Sequence, residues 1–231
     1  MLNDFDMISN MQSHHKQQQQ VKKWGDDLEA SFVKKNFFFM KKIMLLLSLR
    51  TCVHVWKSQE MYALDALLKS KNIDLLDLKW ERFKLISDDL HFSNHGFIKF
   101  SRELAKVMSA YLTEKNLRNV VIVSDSTIGF MNVDDFEGDE HIIKSMANEG
   151  IHAIVNSVGG SGYISMSDSN NHFHARLSRI LRRMYPLSPD AVLIIGGWND
   201  VWNSENISKI ERAIDGIINL TRRWSAESKS V

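Results

Sequence analysis

Short, continuous apolar segments alternate with amphipathic segments along most of this chain, and that alternation limits the folds it can adopt. Three apolar runs are NVVIV at 119–123, IHAIV at 151–155 and AVLII at 191–195. Runs of this length, rich in β-branched residues, are typical of strands that are buried on both faces. Two weaker runs, at 42–49 and 73–78, have the same character. The sequence therefore predicts five strands.

The segments between these strands carry apolar residues at steps of three and four. Phe97, Phe100 and Leu104 begin one such series, and this spacing places them on one face of a helix. On the same grounds, helices are predicted at 56–71, 96–113, 139–148, 173–184 and 207–224. Helices that alternate with fully apolar strands predict an α/β fold whose parallel sheet is covered on both faces.

Composition narrows the class of protein further. The chain has 231 residues, 44% of them hydrophobic and 25% charged, which suits one globular domain with a sizeable core. The net charge of +1 gives no reason to expect a nucleic acid or a membrane surface as a partner. Cys52 is the single cysteine, which excludes a disulfide within the chain. The sequence contains no metal-ligand spacing and no complete nucleotide motif, so no cofactor is expected.

The N-terminal part differs from the rest. Residues 1–36 include the polar stretch HHKQQQQ and are predicted to be a partly disordered extension, which leaves 37–231 as the α/β domain. Lys41 and Lys42 divide the apolar stretch at 37–49 into pieces shorter than the roughly 20 residues that span a bilayer. No integral membrane segment is therefore expected. Residues 1–12 carry acidic residues and no apolar segment typical of a signal peptide, so a cytoplasmic location is expected, while the oligomeric state stays open.

Polar residues and glycines follow the predicted strands. Ser124–Thr127 (SDST) comes after the first run, Asn156–Gly162 (NSVGGSG) after the second and Gly196–Asp200 (GGWND) after the third. Asp88–His91 (DDLH) follows the strand at 73–78 across a loop. Because the carboxyl ends of parallel strands meet at one edge of a sheet, these groups are expected to converge. A hydroxyl, a glycine-rich turn, a carboxamide and an Asp–His pair suit acyl transfer with an oxyanion hole.

These four segments resemble the conserved blocks of the SGNH (GDSL-like) hydrolases. GWND at 197–200 matches the family's G-x-N-D block, and DDLH at 88–91 matches its D-x-x-H block. Ser126 lies where the family has the serine of its GDS block, although Ser124 replaces the glycine. The resemblance implies a flavodoxin-like three-layer α/β/α sandwich with a five-stranded sheet. It also implies a serine esterase that acts on a small-molecule, carbohydrate or lipid ester.

The resemblance assigns roles to five residues. Ser126 is the expected nucleophile, His91 the base and Asp88 the carboxylate that orients the base. The N–H of Gly162 and the amide of Asn199 are the expected oxyanion donors, together with the N–H of Ser126. The alternatives that stay open are Asp89 for the carboxylate, Gly160 for the glycine donor, and His172 or His174 for the base.

The order of the blocks departs from the family, because the Asp–His block comes first in this chain. This order implies a circular permutation. The resemblance then implies the neighbours of every strand, because the family's sheet has the order 2-1-3-4-5 with the serine strand as 1. The strand at 119–123 should lie between 151–155 and 191–195. The strand at 42–49 should pair with 191–195, and 73–78 should form the edge, with all strands parallel.

Structural interpretations compete with these roles. Ser126 could cap a helix, Asn199 could complete a turn, and the glycines could only permit tight turns. The arginines at 176–183 are expected on the solvated face of their helix. Two other functions stay open: a catalytically inactive SGNH-like module that binds another macromolecule, and an acyltransferase that uses the same triad.

Overall fold

In a computed structural model the chain forms an α/β fold. The structure describes residues 45–49, 59–71, 73–76, 78, 91–129, 132–133, 136–165, 170–185, 187–203 and 206–227. The strands are β1 (Leu45–Leu49), β2 (Asp74–Leu76), β3 (Asn119–Ser124), β4 (Asn132–Val133), β5 (Phe136–Glu137), β6 (His152–Ser157) and β7 (Ala191–Ile195). The helices are α1 (Gln59–Ser70), α2 (Asn94–Thr113), α3 (Ser126–Gly129), α4 (Gly138–Asn148), α5 (Phe173–Met184), α6 (Trp198–Trp202) and α7 (Ile207–Glu227).

The main sheet has the strand order β2-β1-β7-β3-β6, and every neighbouring pair is parallel. The central strand is β7. Towards one edge, β3 pairs with the edge strand β6 as far as Ser124 opposite Ser157. On its other side β3 pairs with β7, where Ser124 lies opposite Ile195. Each of these pairings is one that the block order predicts. β4 and β5 form a separate antiparallel pair.

Each face of the sheet has its own hydrophobic core, because successive side chains of a strand point to opposite faces. Val120 and Ile122 of β3 pack on one face, against α2 and α4. Val121 and Val123 pack on the other face, against α1, α5 and α7. All four side chains are fully buried, as the continuous apolar run predicted.

The ends of some elements differ from the expectation. β6 ends at Ser157, two residues later than predicted, and α2 begins at Asn94. That helix starts early because the hydroxyl of Ser93 accepts the N–H of Gly96 at 3.1 Å, which caps its first turn. The short helices α3 and α6 and the β4–β5 pair were not predicted, because elements of two to five residues show no periodicity.

Three further expectations concern the N-terminal extension, membrane-spanning segments and metal sites. The predicted extension at 1–36 lies outside the described residues, as do residues 37–44 of the predicted domain. Among the helices that the structure describes, none is both long and apolar enough to cross a membrane. The same described ranges contain no group of three metal-binding side chains.

Candidate active site

The turn that carries Ser126 lies at the carboxyl edge of the sheet, beside the ends of β6 and β7. The carbonyl of Ser124 accepts the N–H of Val158 at 3.0 Å, which joins this turn to the glycine loop after β6. The N–H of Asp125 donates to the carbonyl of Ile195 at 3.2 Å, which joins it to the loop after β7. Three of the four blocks are therefore in direct contact, as the strand order requires.

Asp125 holds the shape of this turn. Its Oδ1 accepts the N–H of Thr127 at 2.9 Å and the hydroxyl of Thr127 at 2.6 Å. The side chain is buried, and burial raises the pKa of Asp125 to about 6, although the bonds from Thr127 oppose that change. Gly196 passes so close that a Cβ there would lie 2.5 Å from Oδ2 of Asp125, which explains a glycine at that position. Asp125 thus braces the turn, and the half-buried Ser126 begins helix α3 immediately after it.

The glycine loop after β6 is organised around the buried carboxylate of Asp200. Oδ2 accepts the N–H of Tyr163 at 2.7 Å, and Oδ1 accepts the N–H groups of Ile164 at 2.9 Å and Ser165 at 2.8 Å. Asp200 is the last residue of the GWND segment, so these three bonds couple that segment to the glycine loop. Hydrogen bonds to an ionised carboxylate are stronger than neutral ones, and the loop is therefore held firmly.

Gly162 is close-packed within this loop. A Cβ at Gly162 would lie 2.7 Å from Cγ and 2.8 Å from Oδ1 of Asp200, and closer still to Oδ2. The N–H of Gly162 donates to the carbonyl of Ser165 at 2.9 Å. The predicted oxyanion donor is thus engaged inside the loop, and its glycine is explained by the approach of Asp200. Gly160, the alternative donor, is exposed at the turn, with a φ of +71°.

Asn199 faces the same loop. Its Nδ2 donates to the carbonyl of Ser161 at 2.8 Å. A carboxamide nitrogen carries two hydrogens, so Asn199 has a second N–H in addition to the one that bonds Ser161. The half-buried side chain is held at the start of helix α6, where Gly197 adopts a φ of +108°. This arrangement suits a fixed amide donor.

His91 lies three residues before the first residue of helix α2, next to two residues that fix the start of that helix. The next residue, Phe92, stacks on Phe100 at a ring-centroid distance of 4.7 Å, and Ser93 caps the helix. The Nε2 atom of His91 is buried. Asp88 and its alternative Asp89 lie outside the described residues. Within the ranges that the structure does describe, no hydrogen bond joins His91 to Ser126, so the nucleophile–base pair stays a prediction.

The alternative bases occupy the start of helix α5. His172 caps that helix, because its Nδ1 accepts the N–H of Ala175 at 3.2 Å. Its ring stacks on that of His174, with centroids 6.1 Å apart. Partial burial lowers the pKa of both imidazoles, and the charge of His174 lowers that of His172 further. The capping bond gives His172 a structural role that its sequence context did not indicate.

Two polar groups near the site were not predicted. Arg176 is only 1% exposed, so the expectation of a solvated arginine face is wrong at this position. Its helical position could have indicated burial, since Arg176 lies three residues after Phe173 and four before Ile180 on the buried face.

Asp139 of α4 accepts the hydroxyl and the N–H of Ser157 at the end of β6. Burial raises the pKa of Asp139 to about 6, against the lowering effect of those bonds.

Comparison of the chain with protein-family models, with curated proteins and with solved structures finds no match.

Proposed function

We propose that this protein is a serine acyl hydrolase that cleaves a carboxylic ester through an acyl intermediate on Ser126. One observation carries the proposal: three loops with the required groups are tied together at the carboxyl edge of a parallel sheet. The turn that carries Ser126 is bonded to Val158 of the glycine loop and to Ile195 at the end of β7. Asn199 is bonded to Ser161 of the same glycine loop. The parallel strand order supports a flavodoxin-like, three-layer sandwich of the SGNH type, in circularly permuted order.

In the proposed reaction, Ser126 Oγ attacks the ester carbonyl and the negative charge develops on the carbonyl oxygen. The N–H of Ser126 and the second N–H of Asn199 act as oxyanion donors. The bond between Gly162 and Ser165 favours Gly160 over Gly162 as the third donor. Each donor could stabilise the transition state by about 3 kcal/mol. The base takes the proton of Ser126 Oγ and gives it to the alcohol, which leaves as the ester C–O bond breaks. Water, deprotonated by the same base, then attacks the acyl-enzyme, so that the carboxylic acid is released and Ser126 recovers its proton. The proposed reaction uses no cofactor.

His91 is the proposed base and Asp88 the proposed orienting carboxylate. His91 must come within hydrogen-bond reach of Ser126 Oγ when the substrate binds, since a base in a free enzyme can lie further away than in the complex. The match of DDLH at 88–91 to the family's D-x-x-H block supports this assignment. His172 is the weaker candidate because its Nδ1 already caps helix α5.

Labelling with a fluorophosphonate tests the nucleophile, because the probe forms a covalent bond only with an activated serine. Wild-type protein should be labelled, and Ser126→Ala should not. Ser208→Ala is the matched control, since Ser208 is exposed on helix α7 and should leave labelling unchanged. Equal labelling of wild type and Ser126→Ala would refute the assignment. No labelling of the folded wild type would favour the inactive binding module.

The base is tested by the same probe. His91→Ala should slow labelling by about 10²–10⁴-fold, the usual contribution of a general base. His95→Ala, an exposed neighbour on helix α2, should label at the wild-type rate. Product analysis of short acyl and carbohydrate esters, with and without an added alcohol, separates a hydrolase from an acyltransferase.

A further inference from the structure

The guanidinium of Arg176 joins the ends of two strands to the glycine loop. Nη2 donates to the carbonyl of Ser124 at 2.7 Å and to the hydroxyl of Ser161 at 2.8 Å. Nη1 donates to the carbonyl of Asn156 at 2.8 Å and to its side-chain Oδ1 at 3.3 Å. Ser124 lies two residues before Ser126, and Ser161 is the residue whose carbonyl holds Asn199. One side chain therefore touches both the nucleophile turn and the oxyanion loop.

A buried arginine is costly to the fold. Burial lowers the pKa of Arg176 to about 10, although the carboxylates of Asp125 and Asp139 favour its charged form. Its Nε is buried and has no hydrogen-bond partner among the described residues. Replacing a whole buried ion pair by apolar side chains often leaves stability unchanged, whereas removing Arg176 alone would leave the carbonyl of Ser124 and the hydroxyl of Ser161 without this donor. Fold stability therefore explains why the arginine is retained once its acceptors are buried, but it gives a weak reason for burying a charged group at this position.

Geometry gives a stronger reason. The planar guanidinium presents its donors at fixed angles, so its bonds set the distance between the groups that accept them. The bonds from Nη1 and Nη2 together set the carbonyl of Asn156, the carbonyl of Ser124 and the hydroxyl of Ser161 relative to one another. A lysine at this position would keep the charge but present its donors from a single nitrogen on a flexible stem.

We propose that Arg176 is a positioning residue that sets the spacing between the Ser126 turn and the glycine loop. Arg176 does not touch the substrate; it acts through Ser124 and Ser161. The spacing matters for catalysis because donors must lie about 3 Å from the developing oxyanion. A misplacement of about 1 Å can slow a reaction by about 100-fold. The catalytic part of this inference rests on the proposed acyl hydrolase function, whereas the structural part does not.

Arg176→Lys tests the inference, with Arg179→Lys as the matched control. Arg179 lies three residues further along the same helix and donates to Asn170 and Asn171, away from both loops. Hydrogen exchange of the folded proteins should be faster in Arg176→Lys at 124–127 and at 158–165 only. The maximal rate of fluorophosphonate labelling should fall by about 10–100-fold, with little change in probe affinity. Arg179→Lys should match the wild type in both measurements.

Each result decides a separate point. Unchanged exchange at both segments would overturn the inference. Faster exchange throughout the chain would also overturn it, since it would indicate general destabilisation. Faster exchange at the two segments with wild-type labelling would refute the catalytic consequence. If the wild type is not labelled at all, the proposed function fails, and the exchange result alone still decides whether Arg176 sets the spacing.

Discussion

Gly162→Ala is a stringent test of the site geometry, because it adds one methyl group against the carboxylate of Asp200. The new Cβ would lie 2.7 Å from Cγ of Asp200, where ordinary carbon contacts are longer than 3.4 Å. The carboxylate cannot yield easily, since it accepts three backbone N–H groups from 163–165. Asp200 is fully buried, so water cannot replace a lost bond.

The magnitude follows from those bonds. A hydrogen bond to a charged group contributes about 1.5–3 kcal/mol. Moving the carboxylate far enough to relieve the clash breaks one or two of the three bonds, so the free energy of unfolding should fall by about 1.5–6 kcal/mol. Urea unfolding followed by tryptophan fluorescence measures this change. The substitution leaves the N–H of residue 162 in place, so a loss of labelling in the variant would come from geometry.

Gly216→Ala is the matched control. Gly216 lies within helix α7, and the nearest atom to a new Cβ would be Cδ2 of His174 at 3.4 Å, an ordinary contact. This variant should gain up to about 1 kcal/mol from helix propensity. In an Asp200→Ala background, Gly162→Ala should cost much less than it does alone, because the clashing group is absent. Additive effects, or a cost below 1 kcal/mol for Gly162→Ala alone, would refute the reasoning.

Two further predictions concern the oxyanion donor and a buried carboxyl group. Asn199→Ala should lower kcat on an ester substrate by about 10²–10³-fold with little change in KM; steady-state kinetics measure this, and a pure KM effect would make Asn199 a substrate-binding residue. Burial raises the pKa of Asp125 from 3.8 to about 6, so ionising it in the folded state weakens the fold as pH rises between those values. Relative to wild type, Asp125→Asn should therefore gain about 2.5 kcal/mol of unfolding free energy from pH 4 to pH 7. A constant difference in urea unfolding across that range would contradict the pKa shift.

The sheet could be predicted from the sequence because its central strands are unambiguous. Val120–Val123 and Val192–Ile195 are wholly apolar and fully buried, and continuous runs of this kind predict parallel strands covered on both faces. The strand order also followed from the block order. The helix ends could be predicted less accurately, because they depend on single capping bonds. Helix α2 begins at Asn94 because the hydroxyl of Ser93 caps it, whereas the apolar spacing predicted a start at residue 96.

The position of the candidate site residues in the fold could be predicted, but their hydrogen bonds could not. Ser126, Gly162 and Asn199 all lie at the predicted edge, because that edge depends only on strand direction. The engagement of the Gly162 N–H by Ser165 depends on the path of the loop, which residue types do not encode. Arg176 was missed because the charge of an arginine favours an exposed position, although its spacing from Phe173 marks the buried face.

The strand order also has a consequence for folding during synthesis. β7 lies between β1 and β3, yet it follows β1 in the sequence by more than 140 residues. At a translation rate of about 5–20 residues per second, β1 waits roughly 7–30 s for that neighbour. During this interval the β1–α1–β2 unit exposes the sheet edge that β7 later covers, and unpaired parallel edges favour association with other chains. The nascent chain is therefore expected to depend on chaperones until residue 195 has left the ribosome.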